Sequence, residues 1–395
     1  MAETFPIIAK TLFGLEEVLA AELRELGAED VQVGRRLCSF HGDQRMLYRV
    51  NICCRTATRV LKPILRFPAD GSDALYRRIG RTNWSRHLDP EGTLAIDPVA
   101  SGEIFKNSLY AAQVAKDAIV DQIRRVSGKR PSVELDDPDL RINLHIDGKR
   151  VTVYLDASGD SLHKRGYRLA TGAAPLGEVL AAGILRLTEW DAASPLVDFM
   201  CGSGTIPIEA AMLARRIVPG ACGRTYGYQR WLDYDAALHE GVLAEARRGE
   251  LASLPFPIVG SDHDSEMIAA SKENAERAGV AGDITWQVSD FVEVVPPAPA
   301  GTLVTNPPYE ERLKTDEIIE FHKRIGDVLK HRWAGYTAWV LAGNLDAAKF
   351  IGLKPNRKIR LFNGQIECRL LKFAIYAFGE RPRAKTVEPE SPIVE

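Results

Sequence analysis

Two short motifs constrain this chain more than anything else in it. The first is the turn Asp198-Phe199-Met200-Cys201-Gly202-Ser203-Gly204, which follows the apolar run Pro195 to Val197. The second is Asn306-Pro307-Pro308-Tyr309, which follows Gly301 to Thr305. An apolar run ending in Asp and a Gly-x-Gly turn predicts a buried strand feeding a helix, with a loop bare enough for a ligand to touch backbone. Pro-Pro directly after a buried strand is a poor choice unless its rigid carbonyl geometry is wanted. An exocyclic amine on a flat base needs acceptors for its two hydrogens and a π-surface to lie against. Asn306 Oδ1, the Pro307 carbonyl and the Tyr309 ring supply those.

The glycine turn lacks the third glycine of a dinucleotide fingerprint. Its partner acid, Asp262, lies far beyond the ~20-residue spacing of that fingerprint, which disfavours a nicotinamide cofactor. The two motifs together resemble those of S-adenosylmethionine-dependent amino-methyltransferases with an (Asp/Asn)-Pro-Pro-(Tyr/Phe) motif.

A chain of 395 residues is long for one core, so two or three domains are expected. Its 45% apolar and 26% charged residues are ordinary for a globular protein, and a net charge of −2 gives no bulk attraction for nucleic acid. A slight basic excess in the first 170 residues is balanced by an acidic excess beyond them. No apolar run reaches the ~18 residues of a membrane span, and no leader pattern opens the chain. The six cysteines (Cys38, Cys53, Cys54, Cys201, Cys222, Cys368) contain no C-x-x-C pair, which argues against a zinc site and a disulfide framework. A reducing, cytoplasmic setting without metal fits them. Cys201 reads as a small buried residue rather than a nucleophile.

In chain order, Phe5 to Ala9 reads as a strand, Leu12 to Leu26 as a helix stopped by Gly27, and Val31 to Val33 and Leu37 to His41 as strands. Asp43 to Cys54 reads as a helix and Arg59 to Phe67 as a strand with Pro63 at an edge or bend. This is a ferredoxin-like α+β module over residues 1–68. A second α+β unit, 69–160, holds a helix at Asp73 to Ile79, a strand at Thr93 to Pro98 and a helix from Asn107 to Val126. It closes with a hairpin of Leu140 to Ile146 and Arg150 to Asp156 across Asp147-Gly148.

From Ser194 strands and helices alternate, as in a doubly wound α/β domain over 161–380. The exceptions are an aromatic insertion from Ile217 to Pro255 and a terminal antiparallel hairpin at Asn363-Gly364. The tail 381–395 is expected to be disordered.

The order of strand, long helix and hairpin is followed by Leu162-His163-Lys164-Arg165-Gly166-Tyr167-Arg168 and Ala174-Pro175-Leu176-Gly177-Glu178. The arrangement resembles the THUMP-containing RNA methyltransferases, in particular those that modify guanine N2 in bacterial large-subunit rRNA, up to about Gly379. The resemblance implies a Rossmann-like class I methyltransferase preceded by ferredoxin-like and THUMP domains. It also implies S-adenosyl-L-methionine as cofactor and structured RNA as partner, 23S rRNA or a ribosome precursor, with tRNA as the alternative. The second methyltransferase module of the enterobacterial version does not follow here.

Candidate residues fall into three groups. Asn306, Pro307, Pro308 and Tyr309 are expected to hold the target amine. Asp198, Met200, Cys201, Gly202, Gly204, Thr205, Asp262, His263, Asp290 and Phe291 are expected at the cofactor: Asp198 orients the loop or binds the amino group, the Gly202 and Gly204 backbones lie against the methionine part, Asp262 accepts the ribose hydroxyls, and Asp290 with Phe291 meets the adenine. His163, Lys164, Arg165 and Arg168 either line an RNA channel or cover a solvated linker, and their place between the two halves favours the channel. Lys106, Arg124, Arg125, Lys129 and Arg130 flank the long helix as further RNA contacts. Pro175 reads as the first residue of a helix from Leu176 to Trp190.

The amine motif does not separate guanine N2 from adenine N6 or cytosine N4. An N6-adenine DNA methyltransferase lacks support because no helix here reads as a base-edge reader for duplex DNA. A non-catalytic RNA-binding or ribosome-assembly factor is the alternative from another class.

Overall fold

The computed structural model describes residues 3–168, 176–309 and 315–376. The chain opens with β1 (Phe5–Lys10), α1 (Glu16–Glu25), β2 (Glu29–Gly34), β3 (Leu37–Gly42), α2 (Gln44–Cys53) and β4 (Arg59–Pro68). Leu19, Leu23, Leu47 and Val50 form the buried faces of the two helices. Asp43 starts α2 by accepting from the Met46 amide at 2.9 Å. There follow α3 (Ser72–Ile79), β5 (Thr93–Ser101), α4 (Ser108–Ser127), β6 (Ser132–Val133), β7 (Leu140–Asp147) and β8 (Arg150–Asp156). Asn107 caps α4 through the Tyr110 amide, and Gly128, at φ 74°, ends it.

The two expected modules share one sheet. Its order is β2-β3-β1-β4-β8-β7-β5-β6, and β4 is the seam, paired with β1 on one side and β8 on the other. Pro63 therefore lies inside the sheet, where its missing N–H is absorbed by a register shift between Pro63 and Leu65. Asp147 pairs with Arg150, so the hairpin loop is Gly148-Lys149, one residue later than the Asp-Gly signal placed it. The two-residue β6 is too short to show a period and was missed.

The C-terminal half contains α5 (Glu178–Leu187), β9 (Leu196–Asp198), α6 (Thr205–Ala214), α7 (Ala236–Arg247), β10 (Ile258–Asp262) and α8 (Ser265–Arg277). It continues with β11 (Ile284–Val288), β12 (Gly301–Thr305), α9 (Thr315–Arg332), β13 (Tyr336–Ala342), β14 (Arg357–Asn363) and β15 (Ile366–Ala374). The sheet order is β11-β10-β9-β12-β13-β15-β14, with β15 antiparallel to both its neighbours. This is the parallel sheet with a terminal antiparallel hairpin that the resemblance implies. The order reverses beside β9, which opens a crevice at the carboxyl ends of β9 and β12. Helix α5 is shorter than expected at both ends, and Pro175 and the 381–395 tail lie outside the described residues.

The aromatic insertion joins the two halves. Tyr226, Tyr228 and Trp231 are buried in the core of the N-terminal unit. The Tyr48 ring of α2 stacks on Tyr228 with centroids 4.1 Å apart, and the Tyr228 hydroxyl meets His239 Nδ1 of α7 at 2.7 Å.

Candidate active site

Strands β9 and β12 are parallel neighbours, with Leu196 opposite Thr302 and Val197 opposite Leu303. The residues that follow them therefore meet. Thr305 Oγ1 donates to Asp198 Oδ1 at 2.8 Å, and the Met200 amide donates to the same oxygen at 3.2 Å. Asp198 is buried, and that burial pushes its carboxyl up to about 7 against the opposing pull of these two donors, with the nearby Asp262 adding to the rise. Its observed contacts are those of a loop-orienting residue.

The glycine loop is held from below. Ser271 Oγ donates to the Gly202 carbonyl at 2.8 Å, Asn274 Nδ2 to the Ser203 carbonyl at 3.1 Å, and the Cys201 amide to the Ser261 carbonyl at 2.9 Å. Gly204 has φ 84°, and a Cβ there would lie 2.7 Å from the Trp286 ring. Gly202 differs: at φ 53° a Cβ would meet no protein atom within 4 Å, so this face of the loop is open.

The Gly202 amide donates to Asp262 Oδ2 at 2.9 Å, which ties the tip of β10 to the loop. The other Asp262 oxygen accepts from the Asp264 amide at 3.1 Å and lies 3.2 Å from the exposed His263 ring. Asp264 caps α8, as its position two residues further on implies. Burial raises the Cys201 thiol well above its ordinary range, the environment of an inert cysteine.

Phe291 departs from expectation. Its ring is buried between Phe199 and Phe321, at centroid distances of 5.6 and 5.4 Å, with the Arg324 guanidinium 5.3 Å from its centre. It belongs to the core between the sheet and α9 instead of offering an open face to a base. Asp290 is half-exposed, accepts from the Val292 amide and sits 3.5 Å from Arg324.

At the tip of β12, Pro307 is buried and Pro308 exposed. The Tyr309 hydroxyl donates to Asn306 Oδ1 at 2.5 Å and accepts from Asn363 Nδ2 of the terminal hairpin at 3.5 Å. One face of the Tyr309 ring lies against Gly343, where a Cβ would come within 2.5 to 2.8 Å of three ring atoms. Burial pushes the phenol above its ordinary range, so it stays a donor. Thr305, Trp286 and Asn363 were not singled out by sequence. Asn363 was read only as a turn residue, and the Trp286 and Thr305 contacts are set by sheet order.

The basic run separates into two pairs. His163 and Lys164 are exposed, Lys164 paired with Asp160 at 3.4 Å. Arg165 is buried and pairs with Glu209 at 3.4 Å while donating to the carbonyls of Leu162 and Arg55. Arg168 turns inward to Glu178 at 3.2 Å and donates to Thr205 Oγ1, the first residue of α6, at 2.8 Å. Neither arginine lines an RNA channel: guanidiniums crossing a domain junction find carboxylates and carbonyls there and are drawn inside. Around α4, Lys106 pairs with Glu103 and Lys129 with Glu91, Arg125 donates to the Gly80 carbonyl, and Arg124 and Arg130 are exposed.

Residues 165–372 match the RMKL-like methyltransferase domain family, 6–61 the RlmL ferredoxin-like domain and 70–156 the THUMP domain. The chain is 41% identical over 376 residues to a Synechocystis sp. protein named as a candidate RNA methyltransferase, across 95% of this chain and 98% of that one. It is 40% identical over 393 residues to the ribosomal RNA large subunit methyltransferase K/L of Syntrophotalea carbinolica, across 97% of this chain and 55% of that one. The chain thus spans about half the length of the K/L proteins it matches. The solved structure of SMU.472, named as a candidate methyltransferase and bound to SAH, superposes with a TM-score of 0.86 at 28% identity, covering 97% of this chain and 100% of that one.

Proposed function

The chain belongs to the RMKL-like methyltransferase family, and from that membership we propose that it methylates the exocyclic N2 amine of a guanine in 23S ribosomal RNA. Its cofactor is S-adenosylmethionine. The observation that carries the reading is the juxtaposition of the open Gly202 face with Asn306 at neighbouring strand tips, fastened by the Thr305–Asp198 hydrogen bond. The names of the K/L relatives support the large ribosomal subunit as the source of substrate.

The residues present fit the cofactor. The bare Gly202 face suits the methionyl part and Asp262 the ribose hydroxyls, with the Gly202 amide already bonded to that carboxylate. When bound, the cofactor supplies an electrophilic methyl on a good sulfonium leaving group. The protein's own share is positioning. Asn306 Oδ1 and the Pro307 carbonyl accept the two amine hydrogens, which biases the nitrogen lone pair out of conjugation with the base. The Tyr309 hydroxyl fixes the Asn306 amide with its oxygen presented. No strong base is required, because the nitrogen becomes cationic on attack and its proton is then acidic. A guanine paired in a helix must leave the stack to reach these acceptors.

The test is transfer of tritiated methyl to total RNA and, in parallel, to genomic DNA, followed by nucleoside analysis. Label in N2-methylguanosine of 23S rRNA is the expected result. Label in tRNA moves the substrate, and label in N6-methyladenine of DNA overturns the reading.

A further inference from the structure

The loop between β1 and α1, residues 12–15, belongs to the N-terminal unit by sequence but packs on the C-terminal half. Leu15 is fully buried against Gly183 of α5, in the core cluster that also holds Leu361 of β14 and Cys368 of β15 and against which Tyr309 packs. Gly14, at φ 85°, comes so close to β14 that a Cβ there would lie 2.5 Å from the Arg360 carbonyl oxygen. The Phe13 ring meets Phe362 edge-on with centroids 5.4 Å apart, and the Arg360 guanidinium lies over both rings. The loop is stiff on its own side, where the Glu16 carboxylate accepts from the Gly14 amide at 2.7 Å and the Arg36 amide at 3.0 Å.

What this loop grips is the strand that carries Asn363. Because β15 runs antiparallel to both β13 and β14, β14 runs in the direction of β12, and its last residue, Asn363, comes up at the same rim as Asn306. There its Nδ2 donates to the Tyr309 hydroxyl at 3.5 Å, and that hydroxyl donates to Asn306 Oδ1 at 2.5 Å. Cys368, opposite Leu361 in the hairpin, is another polar side chain beside the phenol. A tyrosine hydroxyl has one hydrogen, and its neighbours decide where that hydrogen points. A donor at position 363 leaves it for Asn306. An acceptor there would compete for it, and the Asn306 amide would lose the bond that keeps its oxygen turned towards the substrate amine.

We propose, on the reading of Asn306 as an acceptor of the target amine, that Asn363 is a positioning residue for methyl transfer, acting on Asn306 through Tyr309, and that the Phe13-Gly14 loop sets it by holding β14 in place. The N-terminal unit thereby takes a part in the chemistry that is separate from any hold on the RNA. The alignment of the acceptors depends on a contact that this unit makes across the junction.

The test measures kcat and KM for methyl transfer to a 23S rRNA transcript, with SAH affinity by calorimetry as the check on folding. Asn363→Asp is isosteric but replaces the donor with an acceptor, whereas Asn363→Ala removes both; assays at pH 8 keep the new carboxylate ionised. The expected order of kcat is wild type, then Asn363→Ala, then Asn363→Asp lowest by about tenfold or more, with KM and SAH affinity within about twofold of wild type. A merely structural role gives the reverse order of the two variants, because the isosteric change disturbs packing least, and that order or a wild-type rate in Asn363→Asp would overturn the relay. Phe13→Ala should lower kcat severalfold at unchanged KM, and combining it with Asn363→Ala should cost no more than the larger single change, since both act on one hydroxyl. A rise in KM alone, or additive losses in the double variant, would overturn the part given to the loop. Asn306→Ala on the same transcript separates the two readings. Unchanged turnover there removes the acceptor assignment and the relay with it, whereas a loss there beside a wild-type rate in Asn363→Asp removes the relay alone. Should the enzyme methylate another RNA, the substrate reading falls, while the same order of rates on that RNA still supports the relay.

Discussion

Asp198 turns the site's electrostatics into a measurable pH dependence. Its folded carboxyl, at about 7, lies above the ordinary value of 3.8 because burial disfavours the charged form. The folded chain therefore binds the proton more tightly than the unfolded one. Stability from this group is fully present below pH ~4 and is lost as pH rises through about 7, by an amount on the order of 4 kcal/mol. Asp198→Asn keeps an acceptor for Thr305 and Met200 and removes the titration. Denaturant unfolding at pH 5 and pH 8 should show the variant gaining on the wild type at the higher pH; parallel profiles would mean that Asp198 is not held protonated.

Asn306 gives a second, independent expectation. Asn306→Ala removes one of the two proposed amine acceptors but no part of the glycine loop, so turnover should fall at least a hundredfold with SAH affinity within about twofold of wild type. Equal losses in both would assign the residue to the cofactor instead.

The strands and helices were legible where a period or a cap marks them. Asp43, Asn107 and Asp264 each start a helix as their residue type implies, and alternating Leu140 to Ile146 pairs across the hairpin as expected. What could not be read is whatever depends on which elements become neighbours. Nothing in Arg59 to Phe67 says that the strand will pair on both sides and make two modules one sheet, so Pro63 was placed at an edge or bend. The same limit misplaced Arg165 and Arg168: side-chain chemistry announces a cation, but burial is decided by Glu209 and Glu178 arriving from other helices.

Gly204 shows the legible side again, since its φ of 84° and the Trp286 ring both demand glycine. Gly204→Ala is expected to displace the start of α6, lower stability by about 1–3 kcal/mol and weaken SAH binding severalfold. Thermal melts and calorimetry check this, and an unaltered SAH affinity would show that the loop does not shape the cofactor site.

The two halves of the molecule are joined by polar groups as well as apolar ones. Glu22 of α1 accepts from the Arg55 and Thr56 amides, and Arg55 reaches across to the Ile217 carbonyl at 2.6 Å. Arg165 returns the link from the catalytic side, donating to the Arg55 carbonyl and pairing with Glu209 of α6, and both members of that pair are almost fully buried. A buried pair of this kind adds little net stability against an apolar replacement, but breaking it leaves a charge stranded at a cost of about 3–5 kcal/mol.

Glu209→Ala strands the Arg165 charge in that way, whereas exchanging both residues together, Arg165→Met with Glu209→Leu, strands neither charge of the pair and leaves only neutral groups, the Tyr167 hydroxyl and the Leu162 and Arg55 carbonyls, without these partners. Calorimetric unfolding should therefore show a single transition in the wild type, a midpoint several degrees lower in Glu209→Ala, and recovery of most of the loss in the double variant. Because α6 also carries Thr205 against Arg168 beside the glycine loop, the single variant should bind SAH more weakly in step with its stability. A double variant as unstable as the single one would mean that packing at the junction, and not the stranded charge, governs how firmly the two halves hold together.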